Sequence, residues 1–288
     1  MSTKYALSFL AACVAALGLT FTATAQQAPS RSVEHITGDL YRATNNNHHT
    51  AFLVTSEGII MTDPIGVDFA NWLKEELATR FDVPVRYVLY SHYHDDHASG
   101  GAVFSDTAEL VGHENMGPNL EAEAGNPIFA NVVPPTLTYS DELTIELGGR
   151  IVEIIHSLPS HSDDSSIIYF PEERTVFAVD FVNVRRVPFQ DFPGGTVQDW
   201  IDANSDLQTR VDYDIMAGGH GAIGTKADVD DSMRYMEELL VAVAEGIEAG
   251  QSLEELQESV LMEDYSDWGQ YEAWRPGNVE GAYRSLTN

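Results

Sequence analysis

Residues 91–100 read Ser-His-Tyr-His-Asp-Asp-His-Ala-Ser-Gly, which places His92, His94, Asp96 and His97 within six positions. The whole chain has ten histidines in 288 residues, so three in one run concentrate ligand atoms far beyond what a polar loop needs. Zinc takes imidazole nitrogen at about 2.0–2.1 Å and carboxylate oxygen at about 2.0–2.2 Å; four such donors side by side are suited to holding metal. The preceding Val85-Arg-Tyr-Val-Leu-Tyr90 is β-branched and aromatic and reads as a buried strand. On an extended backbone alternate side chains share a face, so His92 and His94 can reach one ion together. Asp96 and His97 are adjacent and need a turn into a helix to swing both toward a second ion. Gly100 and Gly101 follow, where bulk would obstruct packing beside the site.

Three later segments extend the pattern. Ile151–Ser165 is a strand followed by a loop carrying His161, Thr175-Val-Phe-Ala-Val-Asp180 is a strand ending in a carboxylate, and Ala217-Gly-Gly-His220-Gly is a fourth short motif. In this order, together with His-x-His-x-Asp-His, they resemble the metallo-β-lactamase superfamily, zinc-dependent hydrolases on an α/β fold, the four-layer αβ/βα sandwich. The resemblance runs from about residue 33 to about residue 225. It implies two zinc ions per chain sharing a water that becomes a hydroxide nucleophile. His92, His94 and His161 would hold one ion, and Asp96, His97 and His220 the other, with Asp180 bridging and Asp96 counted also as the catalytic carboxylate. True metallo-β-lactamases generally lack a bridging Asp here, whereas glyoxalase II-like thioesterases and acyl-homoserine lactonases have one. Flavodiiron oxygen reductases put a carboxylate where this chain has His94, which favours zinc hydrolysis over oxygen chemistry. The activity implied is hydrolysis of a carbonyl-containing bond in a small molecule (a lactone, ester or β-lactam). The alternatives are a thioesterase of the glyoxalase II type, a single-iron sulfur dioxygenase, and a metal-binding module without catalysis.

Other residues leave two readings open. His48 and His49, in Asn45-Asn-Asn-His-His-Thr50, lie on a turn-rich segment that is either solvated or a substrate contact. Arg185 and Arg186 follow Asp180 by five and six residues; they either bind a substrate carboxylate or pair with some of the many acids. Asp63 ends a strand and supports the ligands from behind. His35, His113 and His156 read as structural, and Asp95, Asp163 and Asp164 as exposed loop acids.

Periodicity gives strands at 36–43, 51–56, 58–62, 85–90, 109–112, 143–147, 151–156, 166–170 and 175–179, and helices at 69–80, 196–210, 226–249 and 253–261. After Tyr265 an aromatic cluster of Trp268, Tyr271, Trp274 and Tyr283 reads as packed core. No linker, repeat or Gly-x-Ser-x-Gly elbow occurs, so residues 26–288 read as one catalytic domain with a helical C-terminal extension.

Charge bounds the partners. With 45 acidic and 15 basic residues and a net charge of −30, the surface disfavours nucleic acid and anionic membranes and suits a saline medium, where screening relieves self-repulsion. Residues 1–25 differ in kind: Lys4 is their only charge, residues 5–21 are largely apolar, and Ala23-Thr-Ala25 is a small-residue cleavage site. That is the pattern of a secretory signal peptide, implying a secreted or periplasmic protein without stable membrane insertion. Leu10-Ala-Ala-Cys13 resembles a lipobox, but cleavage there would leave the apolar residues 14–21 on the mature chain. Cys13 is the only cysteine, so cleavage after Ala25 leaves no disulfide and no thiolate ligand. The mature N-terminus is therefore expected at Gln26; mass spectrometry of exported protein finding Met1 or an acylated Cys13 would refute this.

Overall fold

The computed structural model describes residues 28–287, and the expected signal segment, its cleavage site and Cys13 lie outside them. The first sheet has seven strands in sequential order: β1 (Arg31–Thr37), β2 (Leu40–Asn45), β3 (His48–Val54), β4 (Ile59–Met61), β5 (Val85–Leu89), β6 (Glu109–His113) and β7 (Leu137–Tyr139). It is antiparallel through β4 and parallel from β4 to β7. The second sheet has six, ordered β13-β12-β11-β10-β9-β8: β8 (Glu142–Leu147), β9 (Arg150–His156), β10 (Ser166–Phe170), β11 (Thr175–Ala178), β12 (Ile215–Gly218) and β13 (Ile223–Thr225). Only its β11–β12 pair is parallel.

Alternation along the strands assigns each side chain to a layer. Leu53, Ile60 and Leu89 of the first sheet share one buried cluster with Ile154, Ile168 and Phe177 of the second, so the sheets face one another across an apolar layer. The opposite face of the first sheet, with Phe52, Met61 and Val88, is covered by α1 (Val67–Arg80) through Phe69, Leu73 and Leu77. The outer face of the second, with Ile167, Val176 and Met216, is covered by α4 (Val197–Arg210) and α5 (Lys226–Glu248). Four layers result, the αβ/βα sandwich expected from the sequence. A short α2 (Asp95–Ala98) follows the motif strand, α3 (Met116–Ala122) lies after β6, and α6 (Leu253–Ser259) and α7 (Tyr271–Thr287) close the chain. Thr196 and Ser252 cap α4 and α6 with reciprocal side-chain bonds to Asp199 and Glu255.

Some expectations need correction. The single strand at 36–43 is two, because Gly38 at φ 54° turns the chain with Asp39 into a hairpin. The turn-rich segment 45–50 is mostly strand: only Asn46, at φ 56°, and Asn47 form the turn, and His48 and His49 already pair with β2. Asp164 is buried, not exposed, and its burial pushes the carboxyl up. Within the C-terminal stretch, Tyr271, Trp274 and Tyr283 are carried by a helix, α7, that contains Pro276, Gly277 and Gly281, while Trp268 precedes it.

Tertiary bonds hold α7 where intrinsic propensity is poor. Buried Asn278 donates to the carbonyls of Pro188 and Gln190 and accepts from Tyr235 Oη at 2.7 Å. Arg284 pairs with Asp191 at 2.6 Å. Replacing Asn278 by Leu orphans several buried polar groups at about 1–3 kcal/mol each. Asn278→Leu is expected to lower the unfolding free energy in denaturant melts by about 3 kcal/mol, and a loss below about 1 kcal/mol would show the tether to be dispensable.

Candidate metal centre

The site forms where strands end. The chain leaves β5 into His92 and His94 and turns at once into α2, whose first turn carries Asp96 and His97. Asp180 follows β11, His220 follows β12, and His161 lies on the loop from β9 to β10. The tip of the β2–β3 hairpin reaches the same place: His49 N–H donates to Gly219 O at 2.8 Å, and His48 pairs with His220 as an isolated bridge. Ser166 N–H donates to Ser91 O at 2.7 Å, so both sheets are stitched together around the motif.

All seven residues expected to be ligands converge. Asp180 Oδ2 lies 3.3 Å from Nε2 of His92, of His97 and of His161, and its Oδ1 lies 3.2 Å from His220 Nε2. Two donor groups share this carboxylate: His92, His94 and His161 on one side, His97 and His220 on the other. Asp96 Oδ2 stands 3.5 Å from His97 Nε2 and 3.6 Å from His220 Nε2. His48 joins this second side, its Nε2 3.3 Å from Asp96 Oδ2.

A layer behind the imidazoles sets which nitrogen faces inward. Asp63, fully buried at the end of β4, accepts from Ser91 N–H and Ser91 Oγ, both at 2.7 Å, and from His97 Nδ1 at 2.9 Å. Ser91 Oγ, its proton given to Asp63, can accept from His92 Nδ1 at 3.0 Å. His220 Nδ1 donates to the carbonyl of Asn47, also at 3.0 Å. With these Nδ1 atoms protonated, the Nε2 lone pairs of His92, His97 and His220 point into the site, as metal ligation requires.

The donor set fits metal ions. His92 Nε2 is buried without a hydrogen-bond partner among the described residues, and His161 Nε2 faces His94 Nδ1 at 3.0 Å. Ring nitrogens so close repel one another unless a proton or a cation lies between them. Charge tells the same story. Burial, reinforced by His92 and His161, pushes the His94 imidazole far down. Burial would push Asp180 up, yet His97 and His161 hold it well below the carboxylate range. Against its own burial, His97 is raised by Asp180 and Asp96. Five imidazoles and two carboxylates without thiolate suit borderline ions such as zinc.

The four residues tentatively tied to substrate divide into pairs. His48 and Arg186 line the metal cleft, a cavity of about 410 Å³ whose outer wall includes Phe189, Pro193 and Trp274. His49 and Arg185 do not: they line an adjoining cavity. His49 is buried against Thr44 Oγ1 at 3.0 Å, and burial together with Arg42 takes its imidazole down to about 4. Along β3 successive side chains alternate, so only one of the two histidines can face the ligands. Arg185, at φ 47°, turns outward to pair with Asp267. Trp274, expected in packed core, is packed against the core of the second sheet and also lines the cleft, its place set by α7.

Comparison with known proteins agrees with this geometry. A model of the metallo-beta-lactamase superfamily matches residues 47–220. The 2,4-dinitroanisole O-demethylase subunit alpha of Nocardioides sp. (strain JS1661) is 26% identical over 196 residues, 67% of this chain and 58% of that protein; the match thus spans little more than half of that relative. A metallo-beta-lactamase type 2 of Elizabethkingia meningoseptica is 24% identical over 175 residues, covering 57% of this chain and 68% of that one. Among solved structures, the stereoselective inverting sec-alkylsulfatase Pisa1 from Pseudomonas sp. superposes with a TM-score of 0.73 at 13% identity, covering 89% of this chain and 50% of that chain. With the family model matching more than half of this chain and all four histidine and aspartate motifs gathered at one cleft, the chain belongs to the metallo-β-lactamase superfamily.

Proposed function

We propose that the protein is a binuclear zinc hydrolase that cleaves a carbonyl-containing bond (lactone, ester or β-lactam) in a small molecule, acting outside the cytosol after removal of residues 1–25. The observation that carries this reading is Asp180: one carboxylate set between two histidine groups, its Oδ2 3.3 Å from His92 and His161 of the first and from His97 of the second, and its Oδ1 3.2 Å from His220. When bound, two zinc ions supply Lewis acidity and a nucleophilic water at neutral pH. The residues do the positioning. Asp180 keeps the two donor groups adjacent, Asp63 and Ser91 fix the imidazole tautomers, and His48 with Asn47 borders the cleft beside Asp96. A sulfuric ester is the second reading, favoured by the fold likeness to an alkylsulfatase and by the mixed lining of guanidinium and aromatic rings.

Elemental analysis of protein purified without added metal is expected to give two zinc ions per chain, and Asp96→Ala to lower that content. One ion per chain, unchanged in Asp96→Ala, would remove the second site; iron at one per chain would indicate dioxygen chemistry instead. In a hydrolysis screen over lactones, thioesters, β-lactams and sulfuric and phosphoric esters, His92→Ala and His161→Ala should abolish whatever activity the wild type shows. Even changes behind the ligands commonly cost about 10–100-fold, so a variant that keeps more than about a tenth of the wild-type kcat would contradict the role.

Because Asp180 and Asp96 raise His97, metal binding at this imidazole competes with a proton. Zinc titrated into stripped protein near pH 7 is expected to release protons to a weak buffer, and metal retention to fall as the pH is lowered. Binding without proton release would place the metal elsewhere.

A further inference from the structure

Arg186 is out of keeping with its surroundings. In a chain with 45 acids, most of the described cations sit against a carboxylate, as Arg185 does with Asp267 and Arg284 with Asp191. Arg186 is largely buried, yet among the described residues no carboxylate lies within ion-pair distance. Its guanidinium rests over the ring of Trp274, 4.4 Å from the centroid, and opens into the metal cleft. Phe189 meets Trp274 edge-on at 4.9 Å and 87°, so cation and apolar wall form one continuous surface facing the ligands. Burying a cation without a partner is costly, and a stacked guanidinium keeps its planar fork free for an oxyanion.

Trp274 comes from the C-terminal helix, beyond the stretch matched by the superfamily model, while Arg186 and Phe189 lie on the loop after Asp180, within that stretch. The loop from Asp180 to Gly194 has left-handed residues at Asp180, Arg185, Gln190, Phe192 and Gly194, with φ between 40° and 89°, and α7 holds it in that shape. Asn278 binds the carbonyls of Pro188 and Gln190. Gly277 and Gly281 let the helix backbone come close enough that an added Cβ would lie 3.1 Å from Gln190 and 2.6 Å from Asp191 O. Arg185 and Val187 are bonded to Gly269 on both sides of Arg186, at 2.9 and 3.1 Å. Such a rigid mounting limits the ordering cost of ligand capture.

We propose that α7 and the loop it holds form the substrate-recognition wall of the metal cleft, where Arg186 takes an oxyanion of the substrate and Trp274 with Phe189 take its apolar body. The inference rests on the zinc-hydrolase reading for its charge balance: two dications against the two ligand carboxylates leave an excess of positive charge, to which Arg186 adds. An anionic amphiphile satisfies that excess and the aromatic wall together. The oxyanion is either a carboxylate away from the reacting bond or the sulfate of a sulfuric ester.

The test is calorimetric titration of the metal-loaded protein with 4-phenylbutyrate, 4-phenylbutyl sulfate and the neutral 4-phenylbutyramide. At least one anion is expected to bind about tenfold or more tightly than the amide, as a charge-assisted pair predicts. Arg186→Gln should reduce that ratio to within about twofold, while Arg185→Gln, outside the cleft, keeps it. Trp274→Ala should weaken amide and anion alike, and Trp274→Phe restore most of the loss; metal content and thermal melts establish that each variant is folded. An Arg186-dependent preference for either anion supports the proposal and names the oxyanion. Equal binding of all three probes, or a preference that survives Arg186→Gln because the anion sits on the metals alone, overturns it. Because binding is read without turnover, failure to hydrolyse any tested bond bears on the hydrolase reading and leaves this result intact.

Discussion

The structure depends on one carboxylate held at an unfavourable backbone angle. Asp180 sits at φ 64°, only partly exposed to the cleft, with four imidazole nitrogens around its two oxygens at 3.2–3.3 Å. A non-glycine residue in that conformation costs of order 1–3 kcal/mol and persists only where its surroundings over-determine it. Here they do. The strand behind it is fixed in the centre of the second sheet, and the imidazoles it faces come from both sheets. The convergence that makes the site therefore also ties the two halves of the sandwich along one edge, and the folded chain without metal holds a repulsive cluster that cations relieve.

Position in the sheets explains why this edge carries the chemistry. In a parallel pair the strands end on the same side, so residues just after β11 and β12 emerge together, as Asp180 and His220 do. The parallel β4–β5 pair likewise delivers Asp63 and His92 side by side, so an inward ligand and the group that orients its neighbours come from adjacent strands. His161 completes the set from a loop, anchored because β9 and β10 on either side are paired.

Much of this was legible in the sequence, for a physical reason. Metal donors must be particular residues at particular spacings, so His92, His94, Asp96, His97, His161, Asp180 and His220 stand out as letters, and geometry brings all seven together. Strands buried on both faces announce themselves by β-branched runs, which is why β10 was read at its observed bounds. What escaped was set by tertiary contact. Helix α7 contains Pro276, Gly277 and Gly281 and is held by Asn278 and Arg284 against residues some ninety positions earlier, a relation that local pattern does not encode. The division of His48 from His49 and of Arg186 from Arg185 turns on which of two neighbours faces the cleft, and a strand or loop register fixes that only once the partner strand is known.

The acidity of the chain and the cation in its cleft act over different distances. A net charge of −30 repels an approaching anion, but that field is screened beyond a Debye length of about 8 Å at physiological salt and bears mainly on encounter rate. Inside the cleft the relevant charges are those within contact, where burial weakens screening. There Arg186 rests on Trp274, with no carboxylate of the described residues within ion-pair distance and Asp180 and Asp96 acting on it from further off. The surface therefore governs the medium the protein tolerates, and the interior governs which sign of ligand it holds; a chain can be strongly acidic outside and selective for an anion within because contact charges in the cleft are screened less than the field of the exposed acids.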